Sequence, residues 1–272
     1  MDWPTWQQGA VTAVVFGAIA LLLRRSGRRP ALAAASTELS LIATLYAIWR
    51  VARALPLATT DGAVQRGREV DRAERILRLP SELSLQHFVL HHEWLGKFLN
   101  VYYAVMHVPA TVAFLVWLYV RHRDRYPHWR NGLAISTAFC LVIRFVRVAP
   151  PRLVPEAGYI DLASVFGLSV YGPVGTGVSD QLAAMPSIHV GWAAVVSLGI
   201  VACSTSRWRW LFLGHLVLTM LAVSATGNHW WLDGLAAIGL LLVALQIDTR
   251  ARRWWGARRV VGVEPELVVS SA

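Results

Sequence analysis

Three runs in the chain bring together residue types that can attack, protonate and hold a phosphate. In GNHWWLD, residues 227–233, His229 and Asp233 are four apart, a spacing that puts both on one face of a helix. A carboxylate that accepts from one imidazole nitrogen fixes the tautomer and leaves the other nitrogen as a nucleophile. In MPSIHVGW, residues 185–192, His189 follows Ser187 at the mouth of the apolar run AAVVSLGIVA. A helix starting there offers unpaired amide hydrogens and the positive end of its dipole, so an anion meets donors without a metal ion. The third run, RFVRVAPPRL at 144–153, supplies Arg144, Arg147 and Arg152. Arg144 and Arg147 are three apart and share a helical face; Pro150 and Pro151 end that helix and set Arg152 on a rigid turn. Ionisable groups within membrane spans mark function, the structural alternative being arginines that snorkel to the head groups.

The elements that carry these residues must be membrane helices. Of 272 residues 56% are hydrophobic and only 15% charged, against about 25% charged in soluble domains. A span needs about 20 apolar residues, and the runs near 5–23, 37–55, 98–120, 131–149, 188–204, 208–226 and 230–247 predict an all-α, polytopic bundle of seven spans, or six if 37–55, with Arg50 and Arg53 near its end, does not cross. The first run reads as an uncleaved anchor, since its arginines follow it. The expected layout is N-terminal spans and an outer interfacial segment over 1–80, a catalytic membrane domain over 81–248, and a cytoplasmic tail over 249–272.

Segments 24–30, 121–130, 206–210 and 250–259 hold 4, 4, 2 and 5 arginines. With seven spans they fall on one side, which the positive-inside rule makes cytoplasmic. Both histidine entrances then lie outside, which predicts a plasma-membrane protein with its site on the extracytoplasmic face. The same rule accounts for the net charge of +10 without nucleic acid. Segment 64–79 carries five arginines and a thin apolar stripe of Val70, Ala73, Ile76 and Leu77, an interfacial helix in prospect. Residues 161–184, with four glycines, read as a loop over the outer face. Cys140 and Cys203 lie in or beside apolar runs and read as packing residues.

The order APPR, MPSIH, GNHWWLD resembles the type 2 phosphatidic acid phosphatase (PAP2) superfamily over roughly 85–247, and within it the branch that includes inositol phosphotransferases making phosphoinositol sphingolipids. The resemblance implies a PAP2-like helical core and the following roles: His229 attacks phosphorus and forms a phosphohistidine, Asp233 orients and charge-stabilises it, and His189 protonates the leaving oxygen. Ser187 and nearby amides hold the phosphoryl oxygens with Arg152 or Arg147. No cofactor and no metal is implied. The chain departs from the pattern in two places. Phe145 stands seven residues before Arg152 where the first motif has lysine, and Leu153 follows in place of proline. Ala222 and Val223 stand where the third motif has Ser-Arg, leaving Arg144 or Arg147 to substitute. This degeneracy points to the phosphotransferase-like branch.

NVYYAVMHVP, residues 100–109, places Asn100, Tyr103 and His107 at i, i+3 and i+7 on one face of the third span. A similar N-x2-Y-x3-H-x-P run occurs in the same branch. The stripe is open to two readings, an acceptor or head-group site and hydrogen bonding between helices. His87, His91 and Glu93 do not follow a zinc-hydrolase pattern; His122 and His128 read as solvated, and His215 as a satisfied core histidine. Tryptophans including Trp230 and Trp231 read as a membrane-surface belt. The expected activity is cleavage of a lipid-linked phosphoester, on a phospholipid or polyprenyl-phosphate substrate embedded among membrane lipids. Its outcome is transfer of a phosphoryl or phosphoinositol-type head group to a polyol acceptor, or release of free phosphate. A membrane anion or lipid transporter is the non-enzymatic alternative.

Overall fold

The computed structural model describes residues 4–54, 61–166 and 181–261. The glycines at 167, 172, 175 and 177, and with them most of the expected outer loop, lie outside the described residues. Eleven α-helices follow in order: α1 Trp6–Ser26, α2 Pro30–Ala54, α3 Ala63–Ile76, α4 Glu82–Leu90, α5 Glu93–Val105, α6 His107–Arg121, α7 Tyr126–Ile143, α8 Leu162–Phe166, α9 Ile188–Cys203, α10 Leu213–Ala225 and α11 Trp231–Val261. The only β-pairing among the described residues is an isolated parallel bridge, Val148 to Ala183.

The chain divides into two compact units, Met1–Ala58 and Thr59–Ala272. The first is a helical hairpin. Thr5 and Gln8 form a capping box at the start of α1, and Gly27 ends it in the left-handed region at φ 65°, a conformation glycine adopts without a Cβ penalty. Ser40 Oγ donates to the Ala13 carbonyl at 2.7 Å. Val11, Val14 and Leu22 are exposed, as a lipid-facing surface allows.

The second unit is built around α9. A helix apolar on every side must be enclosed by others, and in α9 Val190, Gly191, Ala193 through Ser197, Gly199 and Cys203 are all buried. Helices α6, α7, α10 and α11 pack on it. Small residues let the backbones approach: Gly191 faces Ala237, and the Phe114 ring covers Gly199 where a Cβ would overlap it. Phe114, Leu118, Tyr126, Trp129, Ala194, Val195 and Leu241 fill the largest cluster.

Among the described residues four helices are long and apolar enough to cross a membrane: Trp6–Ser26, Pro30–Ala52, Arg207–Ala225 (its first 6 residues 3-10) and Trp231–Ala257. A fifth arises if α5 and α6 are taken as one broken span, bent by 53°. This departs from seven straight spans. The run 98–120 is two helices that meet at Met106. The run 131–149 is helical only to Ile143, because Phe145 and Val146 turn their amides back to Val142 and Ile143, before either proline. The run at 188–204 is a helix of 16 residues.

Segment 64–79 does form a helix, α3, but not on the expected stripe. Ile76 and Leu77 are exposed, while Ala63, Gly67 and Glu74 are buried. Val64 and Val70 pack on Ala149, Val154, Ala157 and Trp230. Trp230 is fully buried, its Nε1 donating to the Ala149 carbonyl at 3.0 Å, and so belongs to the core and not to a surface belt.

Candidate active site

The turn from α10 to α11 sets His229. Gly227 adopts φ 68°, and its amide returns to the Ser224 carbonyl at 2.9 Å. The amides of Asn228 and His229 both donate to the Val223 carbonyl. Helix α11 starts only at Trp231, so His229 precedes it and does not share a helical face with Asp233. Asp233 instead reaches back: its Oδ2 accepts the Trp230 amide at 2.9 Å, the acidic half of a capping box. The same oxygen lies 3.4 Å from His229 Nδ1.

A closer partner holds that nitrogen. The Ala184 carbonyl is 2.7 Å from His229 Nδ1. A carbonyl only accepts, so Nδ1 carries the proton and Nε2 keeps its lone pair. Nε2 is buried and has no hydrogen-bond partner among the described residues. Ala184 is itself fixed by its amide, which donates to the Val148 carbonyl at 3.1 Å. The tautomer expected from the aspartate is thus set by main chain; Asp233 supplies a buried carboxylate nearby.

His189 enters from the start of α9. Ser187 is the N-cap, its hydroxyl accepting from the Val190 amide at 3.4 Å, and its own amide donates to the Asp233 carbonyl at 3.0 Å. That bond ties the two histidine motifs together, and the His189 and His229 rings stand 5.7 Å apart between centroids. Both motifs therefore lie at one end of the bundle. The Tyr103 and His107 rings flank His189 at 4.5 and 4.6 Å. The two do not share one helix: Tyr103 is on α5 and His107 opens α6, so the bend and not an i, i+4 face brings them together. His107 is buried, and its Nε2 has no hydrogen-bond partner among the described residues. Asn100 is buried on α5.

Arg152 lies beside the His229 turn. Its amide donates to the Gly227 carbonyl at 3.1 Å. Its guanidinium donates to Asn228 Oδ1, and to Gln181 Oε1 at 3.4 Å, with the Asp161 carboxylate 3.7 Å from Nε. Only 2% of the side chain is exposed, so a full positive charge is buried beside the turn that carries His229. Arg144 and Arg147 do not share a helical face: Arg144 caps α7, and Arg147 follows in the turn, where its carbonyl accepts from Arg66 Nε at 2.5 Å.

The start of α11 is not open to a ligand. Its first amides are taken by three buried carboxylates: Trp230 by Asp233, Trp231 by Glu82 Oε1 at 3.1 Å, and Leu232 by Glu74 Oε1 at 2.8 Å. Burial and the adjacent Glu82 carboxyl push Glu74 up to about 9. Tyr159, buried with its hydroxyl on Glu82 Oε2 at 3.5 Å, is raised too. An anion in this site is left to the α9 end and the arginines. Sequence reading missed Glu74, Glu82, Asn228 and the Ala184 carbonyl. The position of Asn228 beside His229 was a usable signal; the other three gave none, because they depend on which segments pack on the α11 start.

The remaining histidines are accounted for locally. Nδ1 of His91 and of His92 bond to the carbonyls of His87 and Phe88, and no group of three or more His, Cys, Asp or Glu among the described residues is placed to hold a metal ion. His215 Nδ1 bonds the Tyr102 hydroxyl at 2.5 Å, but the residue is half-buried and its Nε2 has no hydrogen-bond partner among the described residues, so the expectation of a satisfied core histidine holds only in part. His128 is not simply solvated: its Nδ1 lies 2.7 Å from Asp248 Oδ2, which also accepts from Arg252.

Two histidines, a carboxylate and a buried arginine thus meet at one end of a multi-helix bundle with several candidate membrane spans, a set of groups suited to phosphate chemistry. The match to known families agrees: residues 68–247 fit the PAP2 superfamily, and the chain belongs to it. It thus carries a phosphatase-type domain of a superfamily whose members are metal-independent phosphatases acting on phosphomonoesters, often of lipids. No curated protein and no solved structure matches the chain.

Proposed function

We propose that this protein cleaves a lipid-linked phosphoester through a phosphohistidine. The observation that carries the proposal is the His229 ring: Nδ1 given up to the Ala184 carbonyl at 2.7 Å, Nε2 left with its lone pair, and His189 one small anion's width away. Nε2 attacks phosphorus, the P–O bond to the lipid breaks, and His189 gives its proton to the departing oxygen. Water then attacks phosphorus, His189 takes a proton from it, the P–N bond breaks, and phosphate leaves. Asp233 stabilises the positive charge that His229 acquires. Arg152, with Arg147, Arg144 and the Ser187 end of α9, holds the phosphoryl oxygens. Such a site lowers the barrier by position and fixed charge.

The substrate is a phospholipid or a polyprenyl phosphate, approached from the extracytoplasmic leaflet of the plasma membrane: α7 and α10 run toward the histidine end and α9 and α11 away from it, which leaves the arginine-rich segments 121–130, 206–210 and 250–259 at the other end. A second reading, transfer to a polyol hydroxyl in place of water, draws on Tyr103 and His107 against His189, with Asn100 on the same helix as Tyr103. This is where an acceptor or head group would meet the general acid.

The test is incubation of purified protein with radiolabelled lipid phosphates, with and without a polyol. Free phosphate means hydrolysis, and a new labelled lipid or phosphoalcohol means transfer. His229→Ala is expected to abolish both while the protein still folds. A His229→Ala protein with near-normal turnover on every accepted substrate refutes the proposal.

A further inference from the structure

Helix α3 touches the site at two places that are far apart in sequence. At its start, the Ala63 carbonyl accepts the Ala149 amide at 2.9 Å, and Arg66 Nε donates to the Arg147 carbonyl at 2.5 Å. At its end, Glu74 Oε1 accepts the Leu232 amide at 2.8 Å. It therefore braces both the arginine loop and the histidine turn. Between them Gly67 packs so closely on the Ala149 carbonyl and Val154, at 2.9 Å from where a Cβ would stand, that no side chain fits. From α4, Glu82 takes the neighbouring Trp231 amide, and the Trp231 ring nitrogen donates to the Pro80 carbonyl at 2.8 Å.

We propose that Glu74 and Glu82 are positioning residues for His229: together they hold the first turn of α11, and through it the reach of the His229 ring toward phosphorus. The inference rests on the phosphohistidine reading above. A helix start leaves its first amides without intrahelical partners, and here acidic side chains take three consecutive ones. Two of them come from other helices and are buried, so their function is to fix where α11 begins relative to α3 and α4. His229 lies only two residues before that start, and a displacement of about 1 Å at a reacting atom costs on the order of 100-fold in rate.

The arrangement holds only if the carboxylates do not all ionise. Glu74 faces Glu82 from α4, Asp233 from α11 and the Tyr159 hydroxyl, with the Asp71–Arg75 pair on its own helix. One oxygen accepts from Leu232; the other is buried without a hydrogen-bond partner among the described residues, where a negative charge is costly. Burial and the neighbouring Glu82 carboxyl both disfavour a charge on Glu74. Ionisation of Glu74 in strongly alkaline solution then loosens the α11 start and slows the attack by His229.

The experiment measures kcat and KM for phosphate release from a lipid phosphomonoester across pH 6–10.5 in wild type, Glu74→Gln, Glu74→Ala and Glu82→Ala. Glu74→Gln keeps the shape and cannot ionise. The wild-type rate is expected to fall through about pH 9, and in Glu74→Gln that limb moves up by at least about one pH unit. Glu74→Ala and Glu82→Ala lower kcat by about tenfold or more, with KM changed less than about threefold. A Glu74→Gln limb that superimposes on wild type overturns the inference, as does wild-type kcat in Glu74→Ala. His229→Ala run alongside separates the two levels. If it stays active, the phosphohistidine reading falls; if it is inactive while the Glu74→Gln limb does not move, only the positioning role falls.

Discussion

Asp233→Asn separates two functions that one carboxylate could serve. The amide is isosteric, and its oxygen still accepts from Trp230, so the capping contact at 2.9 Å survives. The tautomer also survives, because the Ala184 carbonyl holds Nδ1 at 2.7 Å. What disappears is a negative charge 3.4 Å from the imidazole. At an effective dielectric of about 20, a unit charge at that distance stabilises a developing imidazolium by about 5 kcal/mol, which caps the loss at about 3.6 powers of ten. Only part of the charge has developed at the transition state, and Arg152 opposes it, so a fall in kcat of about 100- to 1,000-fold follows. A triad whose aspartate sets the tautomer loses about 10,000-fold on the same change. The assay is release of inorganic phosphate from a lipid phosphomonoester in mixed micelles, with Tm recorded for both proteins. A loss as large as that of His229→Ala refutes the main-chain lock, and a loss under about threefold shows that the Asp233 charge does not act on His229 at all.

Asn228→Ala removes the acceptor that orients the Arg152 guanidinium. A hydrogen bond to a charged group contributes about 1.5–3 kcal/mol, so kcat/KM should fall at least about tenfold; a change under twofold means Gln181 and Asp161 suffice. Tyr102→Phe breaks the 2.5 Å contact with His215 and the 3.1 Å contact with Thr219, and should cost about 0.6–2 kcal/mol of stability in detergent unfolding without changing the pH profile. Glu74 holds its proton to about 9 when folded, against an ordinary 4.5. Folding therefore takes up a proton between those values, and stability is greatest below 4.5 and is lost as pH rises toward 9. Glu74→Gln should flatten the fall in Tm between pH 5.5 and 8.5; an unchanged slope would mean that Glu74 ionises normally. EDTA should leave phosphate release intact, and inactivation reversed by added zinc would redirect attention to the histidines at 87–92.

The family and the helical class were legible because His189, His229 and Asp233 stand at fixed places before apolar runs, and those places survive folding. The span count was less so. Hydropathy averages over a window and cannot see the break at Met106, nor the turn that ends α7 at Ile143 although apolar residues continue. Arg144 and Arg147 were given a shared face on the assumption that a helix runs until a proline stops it. The lock on His229 was invisible for a different reason. It is a main-chain oxygen, which every residue type provides, and only the pairing of Ala184 with Val148 places it. Glu74 looked like one more charge on an exposed helix, because nothing local shows that Leu232 will come to lie over it.

Helix α9 has 16 residues, about 24 Å of rise, whereas the oily layer it serves is about 30 Å deep. Bilayers thin to meet short helices that touch lipid, but α9 is walled in by protein and leaves them no reason to. With the far end of α9 at one edge of that layer, the end that carries His189 stops about 6 Å short of the other. A phosphate bound there as proposed would lie about one turn of helix below the head groups, and the lipid carrying it would have to bend to bring it down.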